Sequence, residues 1–220
     1  MKEPEYYFSC QSFPLFQDIE NIWDALKNLS SYMKNIKLGE IEIEIPLGVF
    51  LENPHLISIG KDTVIEPGAY IKGPALIGKG CQIRHSAYLR GDVILEDGAI
   101  VGHSTEVKHS IFLKNSHAAH FNYVGNSILG ENSNLGAGVI CANFRLDHGT
   151  VNVWIDNKKI KTDLQKLGVI LGDRSQIGCN SVISPGSLVG KDVICYPCVH
   201  VQGTIPSGSK IKLKQQFEGA

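Results

Sequence analysis

A chain of 220 residues with 43% apolar and 20% charged side chains is long enough to bury one sizeable core and too apolar to stay disordered. Its formal net charge of −1 offers no global field to nucleic acid or to an anionic membrane surface, so any anion it binds must be met by a local cluster of Arg, Lys and His. No stretch approaches the roughly 18 apolar residues of a membrane span, and the opening MKEPEYYFSCQSF lacks a basic region followed by an apolar one, so a cytoplasmic chain is expected.

Residues 14–37 place Phe16, Ile19, Trp23, Leu26, Leu29, Met33 and Ile36 at spacings of three and four, one face of an amphipathic helix. IEIEIPLGVF at 41–50 alternates as a strand does, with Pro46 marking a bend. Residues 1–50 are thus read as a helix and a lead-in strand. From 51 to 206 the pattern changes to a period of six. Stepping from Ile59 gives Ile65, Ile71, Ile77, Ile83, Leu89, Leu95, Val101, Val107 and Leu113, all aliphatic. Two five-residue steps, Ala119 to Val124 to Leu129, lead on to Leu135 and Cys141, and Leu171, Ile177, Ile183, Val189, Cys195 and Val201 resume the spacing. That period fits neither a helix nor an ordinary strand; it is the signature of a hexapeptide β-helix, in which stacked coils bury a continuous column. The expected fold is all-β, and the resemblance to hexapeptide proteins implies a left-handed parallel β-helix with three hexapeptides to a coil, assembled as a homotrimer.

Residues 145–167, RLDHGTVNVWIDNKKIKTDLQKL, break the register with an alternating VNVWI, a turn-like Asp156-Asn157 and then KKIK. A hairpin projecting between coils is expected, and such loops often line sites. Residues 207–220 read as a tail. The six cysteines are scattered and are read as small buried thiols, the lone CYPC at 195–198 included.

Between Leu89 and Phe144, Arg90, Glu106, Lys108, His120, Tyr123, Asn134 and Asn143 fall outside the inward positions, so they face outward or sit at corners. With eighteen residues to a coil, Arg90 stacks below Lys108 at one coil spacing, ~5 Å. Two cations so placed repel unless an anion lies between them, and a phosphate suits both. An imidazole titrates near neutrality and can serve as a general base, which fits His120; Glu106 is near enough in the coil count to orient it or to hold an ammonium. Tyr123 and Asn134 offer partners for sugar hydroxyls.

The stretch LRGDVILEDGAIVGHSTEVKHSIFLKNSHAAHFNYVGNSILGENSNLGAGVICANF, residues 89–144, resembles the acetyltransferase domain of the bifunctional glucosamine-1-phosphate acetyltransferase and N-acetylglucosamine-1-phosphate uridyltransferase family. The motifs that carry the likeness are Leu89-Arg90, Thr105-Glu106-Val107-Lys108, His120 to Gly125, Asn134 to Gly138 and Asn143-Phe144. The resemblance implies an acetyl-CoA-dependent transfer of acetyl to the amine of a hexosamine 1-phosphate, glucosamine 1-phosphate foremost. His120 would be the base, with Glu106 supporting it. Arg90 and Lys108 would bind the sugar phosphate, and Tyr123, Asn134 and Asn143 would position the sugar and the acyl group. Backbone near Ala137 would face the thioester carbonyl, while Cys179, Pro197 and Lys214 would line the coenzyme A channel. His117 matches no functional position and is expected to be an ordinary corner side chain.

The sequence departs from the family pattern in three places. The first 58 residues are too short for the family's nucleotidyltransferase domain, so uridyl transfer would fall to a separate nucleotidyltransferase. Phe144 replaces a tyrosine and Arg145-Leu146 an Asp-Gly pair; the lysine expected just beyond is not assignable among Lys158, Lys159, Lys161 and Lys166. Two other readings are open. LRGDV at 89–93 is similar to a γ-class carbonic anhydrase, but the two zinc-binding histidines five apart are absent: His103 and His109 are six apart, His117 and His120 three, and no metal is expected. The chain could also be a non-catalytic trimeric scaffold for a nucleotidyltransferase.

Overall fold

In the computed structural model, which describes residues 1–10 and 12–214, the hexapeptide stretch winds into a left-handed parallel β-helix of about nine turns. The prism has three eight-stranded faces. In chain order each coil lays a strand on the first face (as Val93–Leu95), the second (Ile100–His103) and the third (Glu106–Lys108). Ile59 and the eight positions that follow it by six, as far as Val107, all point inward and are buried.

Leu113 does not keep the period. Phe112 pairs with Leu95 and Ala118 with Val101, so Phe112 and Ala118 face the core, while Leu113 packs on the outside of the prism and Ala119 is only partly buried. The five-residue steps run from Val107 to Phe112 and from Val124 to Leu129. There a single left-handed residue, His109 (φ 47°) or Asn126 (φ 49°), turns the corner from the third face to the first, where Gly91 and Asp92 together make the longer turn one coil earlier.

Two positions before many inward aliphatics stands a small buried residue whose hydroxyl repairs the ladder at a corner. Ser175 Oγ donates to the Gly190 carbonyl at 2.8 Å and accepts from the Val193 N–H at 3.0 Å. Thr63 does the same for the Gly78 carbonyl and the Cys81 N–H. Backbone groups removed from the sheet by the bend are costly to bury unpaired, and these side chains pair them.

The N-terminal helix runs over Asp24–Asn35, not from residue 14. Pro14–Phe16 form a single 3-10 turn, and Asp18 in the left-handed region (φ 55°) stops a helix from continuing through it. Phe16, Trp23, Leu26, Leu29 and Met33 are buried as expected, with Ile19 and Ile36 partly so. The alternating 41–50 segment makes one isolated bridge, Ile41 with Ile59, and lays Ile41, Ile43 and Ile45 over the open end of the core. As far as Val49 it caps the first coil instead of forming a strand, which keeps the edge at Ile59 from pairing with another chain; Phe50 then opens the edge strand Phe50–Glu52 of the third face.

Val151–Ile155 and Lys158–Leu164 form the hairpin, turning at Asp156 and Asn157, both left-handed as a two-residue turn requires. It leaves the coil but folds back: Val151, Val153 and Ile155 join Phe8, Phe16, Trp23 and the helix in a second core over Ile94, Ile111, Ile128, Ile170 and Leu188 of the first face. The first face is thereby covered, and the second and third are left open. The parallel ladder continues to Lys210–Ile211, inside the segment read as a tail, whose residues 215–220 lie outside those described. Cys81, Cys141 and Cys195 are buried, but Cys10 is only partly so, and Cys179 and Cys198 are exposed because they occupy corners. The CYPC pair therefore splits between core and surface. Among the described residues no helix is long and apolar enough to cross a membrane.

Candidate active site

Along the third face, inward Leu89, Val107 and Val124 separate two outward columns. One runs Tyr70, Tyr88, Glu106, Tyr123, Ile140; the other runs Lys72, Arg90, Lys108, Gly125. The Arg90 N–H donates to the Val107 carbonyl at 2.8 Å, which sets Arg90 against Lys108 as the coil count expects. The two cations are not left facing each other unrelieved. Arg90 Nη1 reaches Glu106 Oε1 at 2.7 Å, and its guanidinium lies 5.8 Å from the Tyr88 ring centre; the bond to Glu106 pushes the Arg90 pKa up. Lys108 is depressed below the usual lysine value, first by burial and then by Lys166 and Arg90.

Of Lys158, Lys159, Lys161 and Lys166, among which the sequence allowed no assignment, Lys166 is the one that the structure brings beside Lys108. It follows the hairpin, bridges antiparallel to Phe144 and holds its ammonium 5.7 Å from that ring's centre. No spacing rule could place it, because the hairpin inserts an arbitrary length between Phe144 and Lys166. Arg90, Lys108 and Lys166 together outnumber Glu106 on this ledge, and the surplus positive charge suits a phosphate.

Beside the cations, Tyr123 hydrogen-bonds Asn143, and the Asn143 amide donates to Asn126 Oδ1 at 2.7 Å. Burial, then the neighbouring Glu106, raises the Tyr123 phenol. Both side chains lean over Gly125, whose missing side chain makes the space: a Cβ there would meet Asn143 Nδ2 at 2.5 Å and Tyr123 Oη at 2.7 Å. Gly125 closes the His120 to Gly125 motif, but no role could be read for it there, since glycine follows many inward positions.

His120 ends its second-face strand at the corner that leads to Tyr123 and is exposed. Its N–H donates to Asn122 Oδ1 at 3.1 Å, its ring tilts against Phe121, and it pairs in register with His103. Glu106, expected to support it, is bound to Arg90 instead. His117 lies on the flat of the second face between Ile100 and Asn134, not at a corner, and burial with nearby Arg84 lowers its pKa. Asn134 therefore stands beside His117 and apart from the Tyr123 cluster.

The positions expected to line the donor channel fall in one column. The Gly138 N–H donates to the His120 carbonyl at 3.0 Å, the Asn180 N–H to Ala137 at 2.8 Å, and the Cys198 N–H to Cys179 at 2.9 Å. His120, Ala137, Cys179 and Pro197 thus occupy the same corner on successive coils. The residues just before that corner are Ala119, Gly136 and Gly178, small residues that let successive coils approach closely, and then exposed Tyr196 beside Pro197. The column ends at a cleft of about 470 Å³ lined by Tyr196, Pro197, Cys198, Lys212 and Leu213, next to exposed Lys214. Among the described residues, no three His, Cys, Asp or Glu side chains converge as a metal site would need.

Residues 71–154 match the family model described as the GMPPB C-terminal domain. A bifunctional protein GlmU of Methanococcus aeolicus is 37% identical over 177 residues, 80% of this chain and 42% of that protein. The uncharacterized protein YaiX of Escherichia coli, named as an acetyltransferase, is 31% identical over 192 residues, 87% of this chain and 83% of its own length. The chain spans less than half the length of the GlmU relatives it matches. Among solved structures, a UDP-N-acetylglucosamine acyltransferase from Campylobacter jejuni superposes with a TM-score of 0.53 at 18% identity, over 74% of this chain and 69% of that one, a likeness of fold.

Proposed function

Because this chain belongs to the family of left-handed β-helix acetyltransferases that includes the acetyltransferase domain of the GlmU proteins, we propose that it moves an acetyl group from acetyl-CoA to the amine of a hexosamine 1-phosphate. The observation that carries the reading is the ledge of Arg90, Lys108 and Lys166 beside Tyr123 and Asn143, one corner away from His120. A phosphate held by the three cations leaves the sugar over Tyr123 and Asn143 and its amine toward the corner. Lys166 takes the part of the lysine expected beyond Phe144.

Acetyl-CoA lies along the corner column, its thioester near Ala137 and its remainder along Cys179, Pro197 and Lys214. His120 accepts a proton from the amine as the nitrogen forms its bond to the thioester carbonyl carbon. A backbone N–H near Ala137 aimed at the resulting oxyanion contributes about 3 kcal/mol. Collapse of the tetrahedral species breaks the C–S bond, and the proton on His120 passes to the departing thiolate. No covalent enzyme intermediate is formed, and no cysteine acts as nucleophile. The open second face supports assembly as a homotrimer, which light scattering reads as three chain masses.

The test is thiol release from acetyl-CoA across a panel of amino sugar phosphates. Release with glucosamine 1-phosphate or its galacto epimer upholds the reading. No release with any member leaves the scaffold role in its place.

A further inference from the structure

Below the cationic ledge the third face carries a column of rings that a sugar monophosphate does not use. Glu106 is in register with Tyr88, Tyr88 with Tyr70, and Tyr70 with Phe50. Tyr70 and Tyr88 meet edge to face at 5.4 Å, and Phe50 and Tyr70 lie nearly parallel at 6.3 Å. All three are substantially exposed: Phe50 58%, Tyr70 36%, Tyr88 39%. Tyr70 is also held in place, its hydroxyl donating to Glu52 Oε2 at 2.7 Å while Lys72 Nζ pairs with Glu52 Oε1 at 2.8 Å.

Resting on the reading of Arg90, Lys108 and Lys166 as a phosphate ledge, we propose that the acceptor site also takes a nucleoside diphosphate-linked amino sugar, whose base stacks on the Tyr70–Tyr88 column. Coils repeat at about 4.8 Å, so Tyr70 lies two coils, roughly 10 Å, below Lys108. That interval is filled by a second phosphate and a ribose. The charged column beside the rings continues downward from Lys108 through Arg90 to Lys72, so the second phosphate stays among cations. The same charges argue against burial of this face in an apolar subunit contact, since Glu52, Lys72 and Arg90 would all have to leave water. Stacking on an aromatic face is tolerant of base identity, so affinity for nucleotides as a class is expected rather than strict selection of one base.

The experiment is titration calorimetry on the intact protein with uridine diphosphate, guanosine diphosphate and inorganic pyrophosphate, for the parent, Tyr70→Ala, Tyr70→Phe and Arg90→Ala. Stacking makes both nucleotides bind roughly five- to hundredfold tighter than pyrophosphate. Tyr70→Ala collapses that ratio, Tyr70→Phe preserves it, and Arg90→Ala weakens all three ligands; circular dichroism confirms that each variant is folded. Equal affinities in the parent, or a ratio unchanged by Tyr70→Ala, overturn the proposal, as does a failure of every ligand to bind. A Tyr70→Ala protein that falls to a single chain mass assigns the rings to a subunit contact and also overturns it. A thiol-release comparison separates the two levels. Acetylation of free hexosamine 1-phosphate with none of the nucleotide-linked sugar removes this inference and leaves the acetyltransferase reading standing, whereas no thiol release with either removes the latter.

Discussion

Replacing Gly125 by Ala puts the smallest possible side chain into the space that shapes the proposed acceptor site. Its Cβ would lie 2.5 Å from Asn143 Nδ2 and 2.7 Å from Tyr123 Oη, distances that force both side chains to move. Both are side-chain ends and not backbone, and Gly125 does not adopt a left-handed conformation, so the coil itself need not distort. Displacing Asn143 breaks its 2.7 Å bond to Asn126, worth about 1 kcal/mol, and the crowding adds a cost within the usual overpacking range of roughly 1–3 kcal/mol. For a chain of this size, 2 kcal/mol corresponds to a fall in Tm of about 4–8 °C. If Tyr123 and Asn143 hold the acceptor, kcat/KM for it falls by far more than the loss of folded protein at 25 °C explains, about tenfold or more for each 1.4 kcal/mol of lost contact. Differential scanning calorimetry together with thiol-release kinetics reads both effects on one sample. A variant that melts earlier yet keeps kcat/KM within twofold of the parent would show that these side chains do not touch the acceptor.

Arg90→Ala, Lys108→Ala and Lys166→Ala should each raise the KM for a phosphorylated acceptor by an amount equivalent to about 1.5–3 kcal/mol, and a KM unchanged in all three variants would rule out the ledge. The depressed pKa of Lys108 has a sign that can be checked: below the usual lysine value of 10.5 it has already begun to lose its proton, so acceptor KM should climb with pH earlier than for a free lysine, and Lys108→Arg should delay that climb. Across the same window the unfolded chain binds more protons than the folded one, so stability contributed at this site rises with pH, which a pH series of thermal melts would detect. Thiol labelling should find Cys179 and Cys198 fast and Cys81 and Cys141 inert, because burial pushes the latter two up to about 11 and about 12. Acetyl-CoA should protect Cys179, and labelling at an unchanged rate in its presence would take the donor off that corner.

The prism was legible because one physical constraint repeats: each coil must put an apolar side chain inside at nearly fixed intervals, and nine successive aliphatics from Ile59 to Val107 do so. The register failed at Leu113 because corner length is set by whether one or two residues take a left-handed turn, and a His or Asn in that role looks like any surface residue. The ledge was partly legible for the same reason as the core. Arg90 and Lys108 follow from the coil count, whereas Lys166 arrives through a hairpin that obeys no count. Asn134 was grouped with Tyr123 as a partner for sugar hydroxyls, but the coil sets them on different faces. The pairing of Glu106 with Arg90 instead of His120 is a choice among near neighbours, decided by side-chain reach across the third face.

The proposed chemistry is tested most directly by kcat for thiol release at saturating acetyl-CoA and hexosamine 1-phosphate, compared between the parent, His120→Ala and His117→Ala. A positioned general base is worth roughly 10²–10⁴ in rate, so His120→Ala should lose that much with little change in acetyl-CoA affinity, while His117→Ala, on the flat of the second face, should stay close to the parent. Full activity in the His120 variant, or a dead enzyme produced by His117→Ala alone, would contradict the assignment of the corner as the catalytic centre.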